Sequence, residues 1–418
     1  MDLSLKLKIQ SPATFSLTHR KFHSPIVRPL KHQIPIISTS TLNLKFRTFI
    51  ISSQNHQPTT FMSKFNKKNN KAFEGVSEEL NLIATQNLDH APARRRVRSA
   101  FAEAVQQLDH PLFKGAPTGI ITQEWYERNS EGLEIFLKSW MPPPDVQIKG
   151  AVYFSHGYGD TCTFFFEGIA RRIADSGYGV YALDHPGFGL SQGLHGYIPS
   201  FDDLVDNVIE QYTKIKSLLS TVSCNGRPEL RGLPCFILGQ SMGGAITLKV
   251  HLKEPHAWDG MILIAPMCRI SEDVKPPPPV LKAITLLSRV MPKAKLVPQK
   301  DLSELFIRDL KTRKMADYNV TGYNDKMRLK TAVELLKATE EIEAQLDKVS
   351  SPLLIIHGAA DKVTDPLVSQ FLYERASSKD KTLKLYEAGY HCILEGEPGD
   401  RIFHIFDDIL SWLDSRCS

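Results

Sequence analysis

The sequence predicts an α/β fold: a mostly parallel sheet with helices on both faces and a separate helical cap. Short apolar runs that end at Gly- or Pro-containing turns alternate with amphipathic helical segments along most of the chain. Strands that alternate with helices of this length pair in parallel through right-handed crossovers. A strand-free stretch, 268–349, interrupts the alternation and predicts the cap.

The overall composition is typical of a globular protein in water, with 42% hydrophobic and 23% charged residues among 418. No run approaches the roughly 18 apolar residues that a membrane-spanning helix needs. The six cysteines have no paired spacing such as C-x-x-C. This favours reduced thiols and argues against a zinc site, so no metal ion is expected.

The first 71 residues differ in composition from the rest of the chain. Residues 3–73 contain no Asp or Glu, but 12 Lys or Arg and 16 Ser or Thr. Such a leader is typical of an organelle transit peptide, and its excess of Ser and Thr over Arg favours the chloroplast. A disordered tail on a cytoplasmic protein is the alternative. From residue 74 onward, 39 Lys or Arg face 45 Asp or Glu, a net charge of −6, so no nucleic-acid-binding surface is expected.

Residues 72–118 are predicted to form a helical N-terminal extension. Two helical segments lie within 76–107, and Asp89-His90-Ala91-Pro92 separates them. The run Arg94-Arg95-Arg96 is interpreted as a solvent-facing side of the second segment.

The predicted core consists of a first part, 119–267, and a second part, 350–418. It opens with a β-hairpin whose strands alternate apolar and polar residues around a Gly-containing turn, which gives the sheet an antiparallel edge. An amphipathic helix at 402–413 closes the chain. The predicted strands are 120–126, 133–140, 151–154, 179–183, 234–238, 261–265, 353–356 and 383–386.

The insertion at 268–349 is too long for an ordinary crossover between two strands. It is rich in proline, and its apolar residues recur at helical spacing, as in Leu281, Ile284 and Leu287. We expect a helical lid over the carboxyl edge of the sheet, where open α/β sheets bind their ligands. An insertion that only adds packing is the alternative.

The motif Gly239-Gln240-Ser241-Met242-Gly243 lies near the middle of the chain. It follows a short buried strand and precedes a helical segment, the context in which G-x-S-x-G presents a nucleophilic serine. Gly239 and Gly243 have no Cβ, so strand and helix can approach closely around the turn. Ser241 is therefore the predicted nucleophile, with an ordinary tight turn as the alternative.

A nucleophilic serine needs a general base, and the base needs an orienting acid. Around such a turn the chain order is Ser, acid, His. Asp361 lies in the loop after the seventh predicted strand and His391 in the loop after the eighth. Asp365 is a rival acid, but its place before Pro366 predicts a helix N-cap.

An acyl intermediate also needs two hydrogen-bond donors for its oxyanion. The backbone N–H of Met242, which opens the helix after Ser241, is predicted as one donor. The loop after the third strand is predicted to supply the other from the backbone N–H of Tyr158. His156 and His357 each precede a glycine at a strand end and are interpreted as structural.

Several motifs together are similar to those of one known family. They are F-S-H-G-Y-G at 154–159, D-H-P-G-F-G-L-S at 184–191, G-Q-S-M-G-G at 239–244 and H-G-A-A-D at 357–361. This set resembles the monoacylglycerol lipase family of serine hydrolases. The segments G-L-H-G-Y-I-P-S-F at 193–201 and W-D-G at 258–260 resemble its plant branch, which includes caffeoylshikimate esterase and lysophospholipase-like enzymes.

The resemblance covers about 119–413 and implies an α/β-hydrolase fold with a helical cap. It further implies cleavage of carboxylic esters through an acyl-enzyme, without a cofactor. The implied catalytic triad is Ser241, Asp361 and His391, and the implied oxyanion donors are Tyr158 and Met242.

One departure from the family concerns acyl transfer. Some plant members carry H-x4-D, a motif associated with acyltransferase activity, in the oxyanion loop. Here His156 and Asp160 form H-x3-D, which puts acyl transfer in doubt, and an acyltransferase is kept as an alternative. The expected substrate is a monoacylglycerol or lysophospholipid, because apolar cap helices suit a lipophilic chain. A phenolic ester such as caffeoylshikimate is the second candidate substrate. The alternative to an enzyme is a non-catalytic ligand receptor on the same fold. Any membrane contact is expected to be peripheral, through cap residues such as Leu286, Leu287 and Val290, and the oligomeric state is left open.

Overall fold

The computed structural model describes residues 73, 76–221, 232–269, 277–297 and 303–417. The predicted transit-like leader, 1–71, lies outside these residues. None of the described helices has the length and apolarity needed to cross a membrane.

Eight strands form one sheet, and each overlaps a predicted strand. The strands are β1 (Ile121–Arg128), β2 (Glu134–Met141), β3 (Gly150–Ser155), β4 (Tyr178–Leu183), β5 (Cys235–Gln240), β6 (Gly260–Ile264), β7 (Leu353–Gly358) and β8 (Lys381–Tyr386). Their order is β1-β2-β4-β3-β5-β6-β7-β8. Strand β2 pairs antiparallel with β1 and β4, and the remaining pairs are parallel. The predicted mostly parallel sheet with an antiparallel edge is confirmed.

Helices cover both faces of this sheet. They are α1 (Glu78–Ala84), α2 (Ala91–Gln106), α3 (Pro111–Lys114), α4 (Phe165–Asp175), α5 (Phe201–Thr221), α6 (Met242–Lys253), α7 (Pro278–Val290), α8 (Ser303–Phe306), α9 (Leu310–Ala316), α10 (Leu329–Glu343), α11 (Pro366–Arg375) and α12 (Gly399–Asp414). Side chains of α4 and α12 pack on one face, and those of α5, α6 and α11 pack on the other. Every residue of β3, β4, β6 and β7 is buried, as expected of parallel strands covered on both faces.

The described part of 268–349 contains α7 to α10 and a short 3₁₀ turn at Leu346–Lys348, with no strand among those residues. Two backbone hydrogen bonds attach this region to loops at the carboxyl edge of the sheet. Tyr323 N donates to Gly159 O at 2.7 Å, in the loop after β3. Cys392 N, beyond β8, donates to Phe306 O at 2.9 Å. The helical insertion therefore lies against the edge where the parallel strands end.

The interpretation of Arg94 as solvent-facing is wrong. Arg94 is completely buried in α2, and its guanidinium donates to three backbone carbonyls, those of Leu88 (2.9 Å), Gly189 (2.5 Å) and Ser191 (2.6 Å). Burial lowers the pKa of Arg94 to about 10, so the group stays charged at neutral pH. Arg96, two residues later, is exposed as expected. The N-terminal extension is thus bound to the loop after β4 by one buried cation.

This arrangement predicts a stability difference between two neighbouring arginines. Arg94→Met should lower the free energy of unfolding by about 3 kcal/mol or more, because buried carbonyls lose a charged donor at about 1–3 kcal/mol each. Arg96→Met should cost less than about 0.5 kcal/mol, as for most exposed sites. Urea unfolding followed by circular dichroism measures both, and equal midpoints would contradict the assigned role of Arg94.

Candidate active site

Ser241 occupies a strained turn between β5 and α6. Its backbone has φ 54° and ψ −117°, a conformation that a residue with a side chain rarely adopts. The flanking glycines are required sterically. A Cβ on Gly239 would lie 2.3 Å from Gly243 O, and one on Gly243 would lie 1.9 Å from Ser155 O. The G-x-S-x-G motif therefore has the strand, turn and helix geometry that presents the Ser241 hydroxyl at the sheet edge.

The structure brings His391 to this hydroxyl. His391 lies in the loop between β8 and α12, is 2% exposed, and places Nε2 3.0 Å from Ser241 Oγ. The loop is shaped by Ala388, which has φ 55°, and by a hydrogen bond from Tyr390 N to Glu397 Oε1 at 3.1 Å. Glu397 is itself buried. A serine hydroxyl and an imidazole at this distance can exchange a proton.

Asp361 lies on the other side of His391. Its Oδ2 is 2.7 Å from His391 Nδ1, while Oδ1 accepts from Val363 N at 2.7 Å and Thr364 N at 3.1 Å. Burial alone would raise the pKa of this carboxyl, but hydrogen bonds from His357 and His391 hold it well below its usual range. Asp361 is consequently ionised at neutral pH, and Nδ1 of His391 carries the proton that it donates.

The rival acid, Asp365, occupies the predicted N-cap of α11. Its side chain accepts from Leu367 N at 2.9 Å. This bond satisfies one of the free N–H groups at the start of the helix. Asp365 therefore has a local structural partner, whereas Asp361 contacts the histidine beside Ser241.

Two contacts on Asp361 were not anticipated from the sequence. Thr364 Oγ1 lies 2.9 Å from Asp361 Oδ2 and 3.1 Å from His391 Nδ1. His357 Nε2 lies 3.0 Å from Asp361 Oδ2. The chain order of Ser, acid and His predicts neither contact. Only the spacing H-x3-D at 357–361 could have indicated the contact from His357. His156 is also buried, and its Nε2 accepts from His185 N at 3.0 Å.

The predicted oxyanion donors lie on two elements that flank Ser241. Met242 is the first residue of α6, where backbone N–H groups have no partner within the helix. The loop of Tyr158 passes close by, since a Cβ on Gly157 would be 3.3 Å from Ser241 Cβ. The Tyr158 hydroxyl donates to Gly196 O at 3.3 Å and anchors this loop. The assignment of both amides to an oxyanion stays a prediction.

A buried carboxyl supports the residue before the nucleophile. Gln240 Nε2 donates to Glu395 Oε1 at 2.7 Å. Burial, with a further contribution from the Asp160 charge, raises the pKa of Glu395 to about 7. Asp160 of the H-x3-D motif accepts from Asn319 Nδ2 at 3.0 Å, so its side chain faces the cap region. Within the described ranges, no three His, Cys, Asp or Glu side chains come together as a metal site.

The two candidate acids can be separated by matched substitutions. Asp361→Asn should lower kcat by about ten-thousandfold, because the amide favours the wrong imidazole tautomer and cannot stabilise the imidazolium. Asp365→Asn should keep kcat within about twofold, since Asn also caps helices. Steady-state hydrolysis of 4-nitrophenyl butyrate measures both, and a greater loss in the Asp365 variant would reverse the assignment.

Solved structures with the same architecture include two lipases. The structure of a soluble variant of monoglyceride lipase from Saccharomyces cerevisiae, in complex with a substrate analog, has a TM-score of 0.60 and 22% identity, covering 72% of this chain and 98% of that chain. The monoacylglycerol lipase of Paleococcus ferrophilus has a TM-score of 0.56 and 24% identity, covering 68% and 99%. At this identity the likeness establishes the α/β-hydrolase fold.

Sequence comparison identifies closer relatives. The chain is 33% identical to caffeoylshikimate esterase of Arabidopsis thaliana, over 71% of this chain and 87% of the relative. It is 30% identical to monoglyceride lipase of Homo sapiens, over 69% and 89%. The family described as serine aminopeptidase, S33, matches residues 146–399, a range that contains Ser241, Asp361 and His391. The chain belongs to this family of serine hydrolases with an α/β-hydrolase fold, within the branch of the monoglyceride lipases and caffeoylshikimate esterase.

Proposed function

We propose that this carboxylic ester hydrolase works through an acyl-enzyme formed on Ser241. The observation that carries the proposal is the continuous hydrogen-bonded chain from Ser241 Oγ through His391 to Asp361, with distances of 3.0 and 2.7 Å. The strained backbone of Ser241 supports the same role, since such strain clusters at functional residues.

The proton positions define the order of events. Asp361 is ionised and accepts from Nδ1 of His391, which leaves Nε2 as the acceptor for the Ser241 proton. As Oγ attacks the ester carbonyl, His391 takes that proton and Asp361 stabilises the imidazolium. His391 then protonates the leaving alcohol. In the second half-reaction it takes a proton from the water that attacks the acyl-enzyme, and it returns this proton to Ser241 Oγ as the acid is released.

The amides of Tyr158 and Met242 are the proposed donors to the oxyanion. A donor at the first turn of a helix also benefits from the helix dipole. Because Tyr323 N and Asn319 of the cap contact the Gly159 and Asp160 end of this loop, the cap supports the loop that carries the Tyr158 amide.

A monoacylglycerol or lysophospholipid is the proposed substrate class. The cap region brings the apolar ring of Phe306 next to His391, with 5.2 Å between the two ring centroids. A lipophilic acyl chain suits such an apolar environment better than the polar acyl group of a phenolic ester does. The lipase names of the human and mouse relatives support the same class.

A phenolic ester is the second candidate, because the relative from Arabidopsis thaliana at 33% identity is named caffeoylshikimate esterase. The assay should compare 1-monoacylglycerol, lysophosphatidylcholine and caffeoylshikimate, with Ser241→Ala as the blank. We expect turnover of the glycerolipids, and exclusive turnover of caffeoylshikimate would favour the second candidate. An amino-acid 4-nitroanilide tests the aminopeptidase activity in the family description. Lack of turnover together with lack of labelling by a fluorophosphonate would contradict the mechanism.

The outer face of α7 is proposed to contact the surface of a lipid bilayer. Leu286 and Val290 lie one turn apart on this face, and 63% and 77% of their surface is exposed. Exposed Lys282 and Arg289 on the same helix would face anionic headgroups. Ile284, in contrast, is buried against the rest of the protein.

Removing the exposed apolar side chains should weaken binding to vesicles. Leu286→Ser combined with Val290→Ser should reduce partitioning onto phosphatidylcholine–phosphatidylglycerol vesicles by about tenfold or more, because less apolar surface leaves water. Hydrolysis of water-soluble 4-nitrophenyl butyrate should be unchanged. Leu82→Ser with Leu367→Ser is the matched control, since both leucines are similarly exposed on α1 and α11. Equal losses in the two double variants would contradict a specific role for α7.

Residues 1–71 are proposed to direct the protein to the chloroplast. Their support is compositional: they are basic and rich in Ser and Thr, with a single acidic residue, Asp2. Import of the full chain into isolated chloroplasts, and its loss on deletion of 1–71, would support the proposal. Import into mitochondria alone would contradict it.

A further inference from the structure

His357 is a second histidine on the carboxylate that orients His391. It lies at the end of β7, is completely buried, and directs Nε2 toward Asp361 Oδ2 at 3.0 Å. The mechanism above assigns no task to this side chain. From its geometry we propose that His357 is a positioning residue for Asp361 and, through Asp361, sets the orientation of His391.

The neighbours of His357 determine which nitrogen carries a proton. Nε2 lies 3.0 Å from the carbonyl oxygen of Thr364 as well as 3.0 Å from Asp361 Oδ2, and both of these oxygens accept. Nε2 must therefore be the N–H that donates. Nδ1 lies 2.6 Å from Oγ of Ser369, a buried residue of α11, and in the neutral ring it accepts the hydroxyl proton. The ring is thus held on both sides.

This contact completes the set of donors around Asp361. Oδ1 is occupied by the backbone amides of Val363 and Thr364, and Oδ2 receives His357, His391 and the Thr364 hydroxyl. With both oxygens held, the carboxylate cannot rotate away from His391. The two imidazoles share one oxygen, so the bond from His357 reduces the negative charge available to His391.

Loss of the His357 donor has two expected consequences. Asp361 gains rotational freedom, and the population of the productive His391 orientation falls, which lowers kcat. The remaining charge on Oδ2 also acts more strongly on His391 and favours its protonated form. Because only neutral His391 can accept the Ser241 proton, the acid limb of the kcat/KM profile should move to higher pH.

The test uses His357→Gln, His357→Asn and His357→Phe in the full chain, with 4-nitrophenyl butyrate as substrate from pH 5 to 9. A glutamine amide can reach the place of Nε2 and donate to Asp361, whereas asparagine is one bond too short and phenylalanine has no donor. We expect His357→Gln to keep kcat within about threefold. We expect the other two variants to lose about ten- to a hundredfold in kcat, the loss typical when a residue that hydrogen-bonds to a metal ligand is removed from a metal site. We also expect both variants to shift the acid limb of the kcat/KM profile to higher pH.

His251→Phe is the matched control for loss of a buried, hydrogen-bonded histidine. His251 is 1% exposed, accepts from Ser350 N at 3.1 Å and contacts Ser351 Oγ at 3.1 Å. It lies ten residues beyond Ser241 along α6, about 15 Å along the helix axis. Thermal unfolding should show a loss of stability in this variant, while its pH profile stays that of the wild type.

The proposal is overturned if folded His357→Phe keeps the wild-type kcat and acid limb, or if Gln and Asn variants have equal kcat. If His357→Phe does not fold, the comparison of Gln with Asn decides alone. The inference rests on the proposed acyl-enzyme chemistry, and the two can fail separately. A wild type that neither hydrolyses the ester nor reacts with a fluorophosphonate at Ser241 would refute the chemistry, whereas an active wild type with unaffected variants would refute only the role of His357.

Discussion

The close approach of β5 and α6 around Ser241 is the constraint on which the rest of the site depends. The turn brings α6 so near to β3 that a single Cβ on Gly243 would collide with Ser155 O at 1.9 Å. It forces a positive φ on Ser241, which costs about 1–3 kcal/mol and requires a rigid surrounding sheet. Buried strands on both sides of β5 provide that rigidity.

The other parts of the site are attached to this turn by loops at the same edge of the sheet. The loops that carry Asp361, His391 and Tyr158 follow β7, β8 and β3, and parallel pairing brings these strand ends to one side. The cap contacts two of those loops directly, through Tyr323 N to Gly159 O and Phe306 O to Cys392 N. A movement of the cap would therefore displace the loop of Tyr158 and the loop of His391 together.

Two buried charged groups, Asp361 and Arg94, are each matched by several hydrogen-bond partners. Asp361 receives five hydrogen bonds, and Arg94 donates to three carbonyls. Each group would be costly to bury alone. Glu395 accepts from Gln240 Nε2, and burial together with the Asp160 charge raises its pKa to about 7. Asp361 is therefore ionised at neutral pH, whereas Glu395 titrates close to neutral pH.

The strand–helix alternation, the helical insertion and the chain order of Ser241, Asp361 and His391 can be predicted from the sequence, because local periodicity and turn residues encode these features. The sequence also predicts Asp365 at a helix start. The contacts between residues that are far apart in the chain are visible only in the folded structure. Arg94 is buried against Gly189 and Ser191, which lie about a hundred residues away along the chain. A local sequence pattern therefore cannot reveal its burial. The contact between Asp361 and His391 also joins groups that are far apart in the chain, whereas the other donors to Asp361 are local residues whose hydrogen bonds depend on the ångström-level geometry of the folded loop.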